Sequence, residues 1–346
     1  MKASIESNLS GKKIAIVGGS GFVGSNIAGS LSKDFNVMVL DVSPPPFDVA
    51  QHVSFRECDV RDYSALKEDL LGVDLVINTA IIQIPLISKS KRQAYEVNVV
   101  GAQNICRAVD EIDSVRALLL SGSWHVIGER GLQGRIDESF GYRPDMVDSR
   151  SREYVLCKMA QEAIVRLYNE MSPKAFVTLR LGTVLGEGMP KETAANIFIS
   201  NAIEGKSITP FSHSASRPML YVDIQDVCLA FRSLVKILLS NGFEKQENVC
   251  HTLNVFYLSF ITIMELAKMV RDSVRKLSHG SIKPDIKVVE TDLLKVRFLS
   301  GNRRPTIDVS NARKLLRMKQ LTHPRFSIER IVKRRMQSAS AVQREA

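Results

Sequence analysis

The sequence predicts an α/β protein: a doubly wound parallel sheet with a smaller C-terminal lobe after it. Three observations carry this. Short apolar runs alternate with helix-period segments through the first half of the 346 residues. Most of these runs are continuous rather than alternating, which marks strands covered on both faces. A glycine-rich loop joins the first run to the first helical segment.

The elements follow in order. KIAIV (13–17) is a first strand, entering GGSGFVG (18–24) and a helical pattern to about Leu31. NVMVL (36–40) is a second strand, closed by Asp41, and SPPPFD (43–48) interrupts it as a loop. Residues 53–56 form a third strand, 63–71 a helix and DLVIN (74–78) a fourth strand. A single long helix is expected over 92–111, a fifth strand over 115–120, a second long helix over 152–169 and a sixth strand over 175–179. Beyond Arg180 the regularity weakens. Helices are expected at 197–204, 226–239, 262–277, 311–316 and 328–336, with a strand at 220–222. Residues 1–180 are assigned to a dinucleotide-binding domain, to which 220–258 contribute, and 181–219 with 259–346 to a substrate-binding lobe.

Composition narrows the class. Hydrophobic residues make up 45% and charged residues 24%, as in ordinary globular domains. No apolar run reaches the roughly 18 residues of a membrane helix, and MKASIESNLSGKK lacks the apolar core of a signal peptide, so a cytoplasmic protein is expected. The five cysteines form no CxxC pair, which argues against a metal site or a disulfide framework. The net charge of +10 favours an anionic partner. Part of that excess lies in RIVKRRMQSASAVQREA, read as a basic last helix running into a frayed tail. No nucleic-acid motif accompanies it, and no nucleic-acid partner is expected.

Gly18, Gly21 and Gly24, with Phe22 and Val23 opening the helix, let the backbone approach a pyrophosphate at a positive helix end. Asp41 stands where a carboxylate accepts hydrogen bonds from the adenosine ribose and repels a 2′-phosphate, so NAD is expected over NADP. Asp59 and Val60 follow the third strand; Asp59 is a candidate for the adenine amino group or a solvated turn residue. Thr79 and Ala80 end the fourth strand, where small residues let a cofactor lie along the backbone. Asn98 sits inside the expected long helix, either in the site or as a buried tether.

Tyr154 and Lys158 form a YxxxK pair on one helix face. A lysine ammonium beside a phenol favours the phenolate, which can exchange a proton with a substrate hydroxyl. Ser123 closes the strand one element earlier.

On GGSGFVG, Asp41, Asp59-Val60, DLVINTA, the Asn98 helix, SGSWHVIG and YVLCK, the chain resembles the extended short-chain dehydrogenases/reductases. LRLGTVLGEG, RPMLYVDIQDV and IDVSNARKLL are most similar to the nucleotide-sugar epimerase/dehydratase branch, UDP-glucose 4-epimerase among it. The resemblance implies a Rossmann domain with a smaller C-terminal lobe, bound NAD, and a homodimer paired through the 92–111 and 152–169 helices. It makes Tyr154 the acid/base, Lys158 the residue that tunes it and holds the nicotinamide ribose, and Ser123 the hydroxyl on the reacting oxygen. Arg217 matches an arginine that binds the substrate diphosphate; Arg303 and Arg304 are read as surface charge, and helix capping accounts for at least one of Asp223 and Asp226. Cys157 departs from the family's small or polar residues and is read as a buried thiol. An RPGD-like stretch common before the last lobe is missing.

Trp124-His125 replaces the Asp-Glu pair that 4,6-dehydratases of this superfamily carry, which disfavours water elimination. His125 is a candidate second proton-transfer group or a polar wall residue beside Ser123. Trp124 is read as core or pocket wall, and both join Ser123 and Arg217 as candidate substrate contacts. The expected function is an NAD-dependent nucleotide-sugar epimerase. Two alternatives stand beside it: a dehydrogenase or ketoreductase on a non-nucleotide alcohol, and a catalytically silent NAD-sensing or nucleic-acid-binding protein.

Overall fold

The computed structural model describes residues 9, 11–240, 251–293 and 304–345, with side chains as far as 338. Its centre is a seven-stranded sheet in which every neighbouring pair is parallel. The strands are β1 (Lys13–Val17), β2 (Asn36–Asp41), β3 (Ser54–Glu57), β4 (Leu75–Asn78), β5 (Ala117–Ser123), β6 (Ala175–Leu181) and β7 (Thr252–Val255). Their spatial order is β7-β6-β5-β4-β1-β2-β3. The order reverses between β1 and β4, and in such sheets the crevice beyond the carboxyl ends at that reversal takes the ligand. β1, β4, β5 and β6 are almost wholly buried, as their unbroken apolar runs require. Alternate residues feed two cores: Ile14 and Ile16 face one, Ala15 and Val17 the other.

Helices α1 (Phe22–Leu31), α2 (Tyr63–Asp69), α3 (Gly101–Glu111), α4 (Arg152–Met171), α5 (Ala194–Ile203), α6 (Ile224–Leu239), α7 (Ile263–Leu277) and α8 (Pro324–Glu345) cover the sheet and build the lobe. α7 starts at a capping box in which Thr262 and Glu265 bond each other's backbone. None of the described helices is long and apolar enough to cross a membrane.

The expected helix over 92–111 runs without a break but is not α-helical throughout. It consists of Lys91–Tyr95, a π-helical turn at Glu96–Val100, and α3. The π turn carries Asn98, whose side chain leaves the helix to bond both backbone groups of Ile82, at 2.6 Å (N–H to Oδ1) and 2.9 Å (Nδ2–H to O). Such single-turn bulges collect at functional sites.

The strand expected at 220–222 is found one residue on, and a second short strand precedes it. Tyr221–Asp223 pairs in parallel with Thr183–Leu185, and Pro218–Met219 pairs antiparallel with Ile261–Thr262. Asp223 and Asp226 are structural acids. Asp223 caps α6 by accepting from Gln225 N–H at 2.8 Å and also holds Ser327 and Arg330 of α8. Asp226 accepts from the backbone and hydroxyl of Thr322.

Candidate active site

A cavity of about 730 Å³ runs from the glycine loop past Tyr154 to Arg217. Two glycines at its head are dictated by space. Gly18 has φ +75°, and a Cβ there would meet Ala80 Cα at 2.5 Å. A Cβ on Gly24 would meet Gly18 O at 2.5 Å and Thr79 Oγ1 at 2.7 Å. Gly21 is different: a Cβ would find only Gly18 O, at 3.5 Å, so the space beside it belongs to the cavity. α1 follows with no side-chain cap and no acid in its first turn. Its free N–H groups and dipole suit an anion. Asp41 lies on the wall, its Oδ2 accepting from Ser20 N–H at 3.0 Å, and keeps its Oδ1 side toward Ser43. These residues fit the dinucleotide of NAD, a pyrophosphate at the bare helix end and a ribose at Asp41.

Phe22, Val23, Asp59, Val60, Thr79 and Ala80 line the same cavity. Asp59 is ion-paired with Arg61, whose guanidinium holds the carboxyl below its ordinary range. Asn98 does not line the cavity; it is fully buried, spends its amide on Ile82, and reaches the site through that loop. Of the two roles expected for Asn98, these bonds describe the buried tether.

Ser123 ends β5, and Tyr154 and Lys158 rise from α4 onto the same wall. Lys158 Nζ donates to Ser121 O at 2.8 Å and Gln161 Oε1 at 2.9 Å. Gln161 in turn donates to Ala80 O at 3.2 Å, linking the lysine to the end of β4. Burial pushes the Lys158 ammonium down to about 7, with Cys157 opposing slightly. Burial also raises the Tyr154 phenol above its ordinary value, with Ser123 pulling the other way. In this arrangement desolvation dominates at the ring, and Lys158 directs two of its three N–H groups to Ser121 and Gln161. Cys157 is likewise raised by burial, in keeping with an unreactive thiol.

Trp124 is not on the cavity wall. It is fully buried, its indole N–H donating to Thr183 Oγ1 at 3.2 Å and its edge against Phe260. The turn Trp124–Ile127 after β5 points the indole into the core and leaves His125 to face the cavity, so Trp124 as a substrate contact is corrected to a core residue. His125 Nδ1 lies 3.2 Å from Ser123 Oγ, and Nε2 lies 3.5 Å from Glu129 Oε1. Burial, aided by the Arg217 charge, pushes the imidazole down to about 3, so the ring is neutral at physiological pH.

Arg217 lines the far end, and its side chain is 3% exposed. Its Nε sits 2.9 Å from Glu129 Oε2, yet neither that N–H nor Nη1 is aligned for a hydrogen bond. The contact is an ion pair that leaves donors over. Asp148 approaches Arg217 Nη1 at 3.9 Å, and Arg150 joins the lining. Glu129, fully buried, has its carboxyl pushed up by desolvation and by Asp148, against the pull of Arg217. Sequence reasoning missed Glu129, Gln161 and Arg150. The only local signal for Glu129 was its place four residues after His125. Arg304 makes a 3.6 Å surface ion pair with Glu265; Arg303 lies outside the described residues.

Comparison with known proteins bears on the family and the fold. Among curated relatives, a short-chain dehydrogenase/reductase family 42E member 1 of Danio rerio is 33% identical over 144 residues, 40% of this chain and 36% of that protein. A putative UDP-glucose 4-epimerase of Methanocaldococcus jannaschii is 27% identical over 219 residues, 60% of this chain and 69% of that one. The chain thus spans about a third of the first relative's length and about two thirds of the second's. The fold is that of MoeE5 in complex with UDP-glucuronic acid and NAD, with a TM-score of 0.75 at 18% identity over 94% of this chain and 99% of the other. The model of the NAD dependent epimerase/dehydratase family matches residues 14–236, and with well over half of its length matched, the chain belongs to that NAD-dependent enzyme family of the extended short-chain dehydrogenase/reductase type.

Proposed function

We propose that the protein is an NAD-dependent epimerase of a nucleotide sugar. The observation that carries this reading is the single cavity: one wall holds Ser123, Tyr154 and Lys158, one end the glycine loop, and the other end Arg217 and Arg150. Bound NAD supplies a hydride acceptor that also returns the hydride. Tyr154 takes a proton from the sugar hydroxyl and gives it back, while Ser123 hydrogen-bonds the reacting oxygen. Lys158, near neutral pKa, assists Tyr154 and binds the nicotinamide ribose. Arg217 offers its spare donors to the diphosphate. Gly18, Gly21, Phe22, Val23, Gly24, Asp41, Asp59, Val60, Thr79 and Ala80 hold the dinucleotide. The lobe of 181–219 and 259–346 closes on the sugar.

The protein acts as a homodimer joined through the helix over 92–111 and α4, on which Leu156, Leu167 and Met171 expose about half or more of their surface. A reductase acting on a non-nucleotide ketone is a second reading. It is favoured by the partial neutralisation of Arg217 by Glu129 and by a relative called cinnamoyl-CoA reductase 1 from Petunia hybrida, 24% identical over 258 residues.

The test combines mass spectrometry of the purified protein with turnover. An epimerase retains NAD, is stabilised by one nucleotide sugar in a thermal-shift screen, and converts it with no net reduced nicotinamide. Stoichiometric change in reduced nicotinamide and no stabilisation by any nucleotide sugar would establish the reductase instead. Under either reading Tyr154→Phe loses turnover by at least about a hundredfold while still binding NAD. Near-normal turnover would remove Tyr154 from the chemistry.

A further inference from the structure

We infer that Glu129 is a positioning residue: it holds His125 as the Nε2–H tautomer, so that Nδ1 accepts the Ser123 hydroxyl proton and Ser123 turns a lone pair toward the cavity. The geometry is a line of three groups. Ser123 Oγ lies 3.2 Å from His125 Nδ1, and His125 Nε2 lies 3.5 Å from Glu129 Oε1. Glu129 is fully buried, and His125 keeps only 14% of its side chain exposed.

The hydrogen-bonding inventory selects between tautomers. An ionised carboxylate only accepts. A bare Nε2 lone pair facing Glu129 would set two acceptors against each other, whereas Nε2–H gives an attractive contact. Arg217 at 2.9 Å and the Ser151 hydroxyl, donating to Oε1 at 3.2 Å, favour the carboxylate form of Glu129 against the burial that raises its pKa. With the proton on Nε2, Nδ1 is an acceptor, and Ser123 is the donor within reach. Ser123 Oγ also accepts the His125 backbone N–H at 3.3 Å, which fixes its second valence. Its remaining lone pair faces Tyr154 and the cavity.

The consequence concerns what Ser123 offers the reacting oxygen. Its resting state accepts a hydrogen from an alcohol or from the Tyr154 phenol. To donate to a phenolate or a ketone, Ser123 must turn its hydrogen away from Nδ1. Glu129 therefore biases the site toward the alcohol. His125 takes part as a neutral hydrogen-bond partner and does not store the proton. This last role rests on the proposed Tyr154 chemistry; the tautomer does not.

Nitrogen NMR of histidine-labelled protein, with NAD present, separates the two. His125 is assigned by the signal lost in His125→Asn. The expected spectrum at neutral pH has a protonated, pyrrole-type Nε2 and a pyridine-type Nδ1. Glu129→Gln, isosteric and uncharged, is expected to move both nitrogens toward tautomer-averaged positions and to lower turnover with NAD affinity kept. A protonated Nδ1 in the wild type, a doubly protonated ring, or a Glu129→Gln spectrum identical to the wild type overturns the assignment. A confirmed tautomer with unchanged turnover in Glu129→Gln refutes the link to the reaction alone.

Discussion

At the scale of single residues, the chemistry comes down to which groups are desolvated and what they face. Asp41 is a carboxylate on the cavity wall, and replacing it by Ala is expected to weaken NAD binding far more than NADP binding; titration of both cofactors checks this, and an unchanged preference would refute the ribose assignment. His125 has a folded pKa pushed down to about 3, well below its ordinary 6.5. The unfolded chain then binds more protons between those values, so the stability due to neutral His125 is present above pH 6.5 and is lost as pH falls toward 3. The slope from this one group approaches about 1.4 kcal/mol per pH unit. Denaturant melts across that range should show a shallower acid limb in His125→Gln, and parallel curves would show that the ring is not so buried. Ser123, Tyr154 and Lys158 were legible in the sequence because each sits in a local pattern: a strand end and a YxxxK spacing. Glu129 was not, because its meaning comes from Arg217, which is 88 residues away in the chain and arrives through the short strands of the lobe.

At the scale of elements, continuous apolar runs revealed the strands of the sheet, since burial on both faces leaves no alternation to misread. The helix over 92–111 shows the limit of periodicity. Its apolar pattern is continuous, but Asn98 gains more by bonding the Ile82 backbone than by following an α-helical path, and a π turn results. Asn98→Ala leaves both Ile82 groups without that partner and is expected to cost about 2 kcal/mol of stability. It should also loosen the loop at 81–84 that lines the cavity, read as weaker NAD binding; unchanged melting and binding together would show that water replaces the amide. Trp124 was read as core or wall, and the turn after β5 decides for core by turning the indole inward while the adjacent His125 ring reaches the cavity.

At the scale of the whole molecule, sheet, helices and lobe are joined by buried ionic contacts as well as by apolar surface. Arg180 on β6 makes three contacts of 2.7–3.1 Å with Glu162 on α4, and both side chains are almost wholly buried. Arg180→Met strands Glu162 in the interior, with an expected loss of about 3–5 kcal/mol; a loss under 1 kcal/mol would mean that the pair is dispensable. The lobe has its own anchor in Asp223, which joins the start of α6 to α8. Trp124 lies between these parts, with its ring centroid 4.3 Å from that of His125 and its indole N–H on Thr183, the strand leading into the lobe. It is the chain's one tryptophan. The protein therefore carries a built-in fluorophore with no background from others, whose emission should lie toward the blue in the native state and shift red on unfolding. Because the indole packs against His125, which lines the cavity beside Ser123, the same signal can follow the arrival of a ligand there without any label.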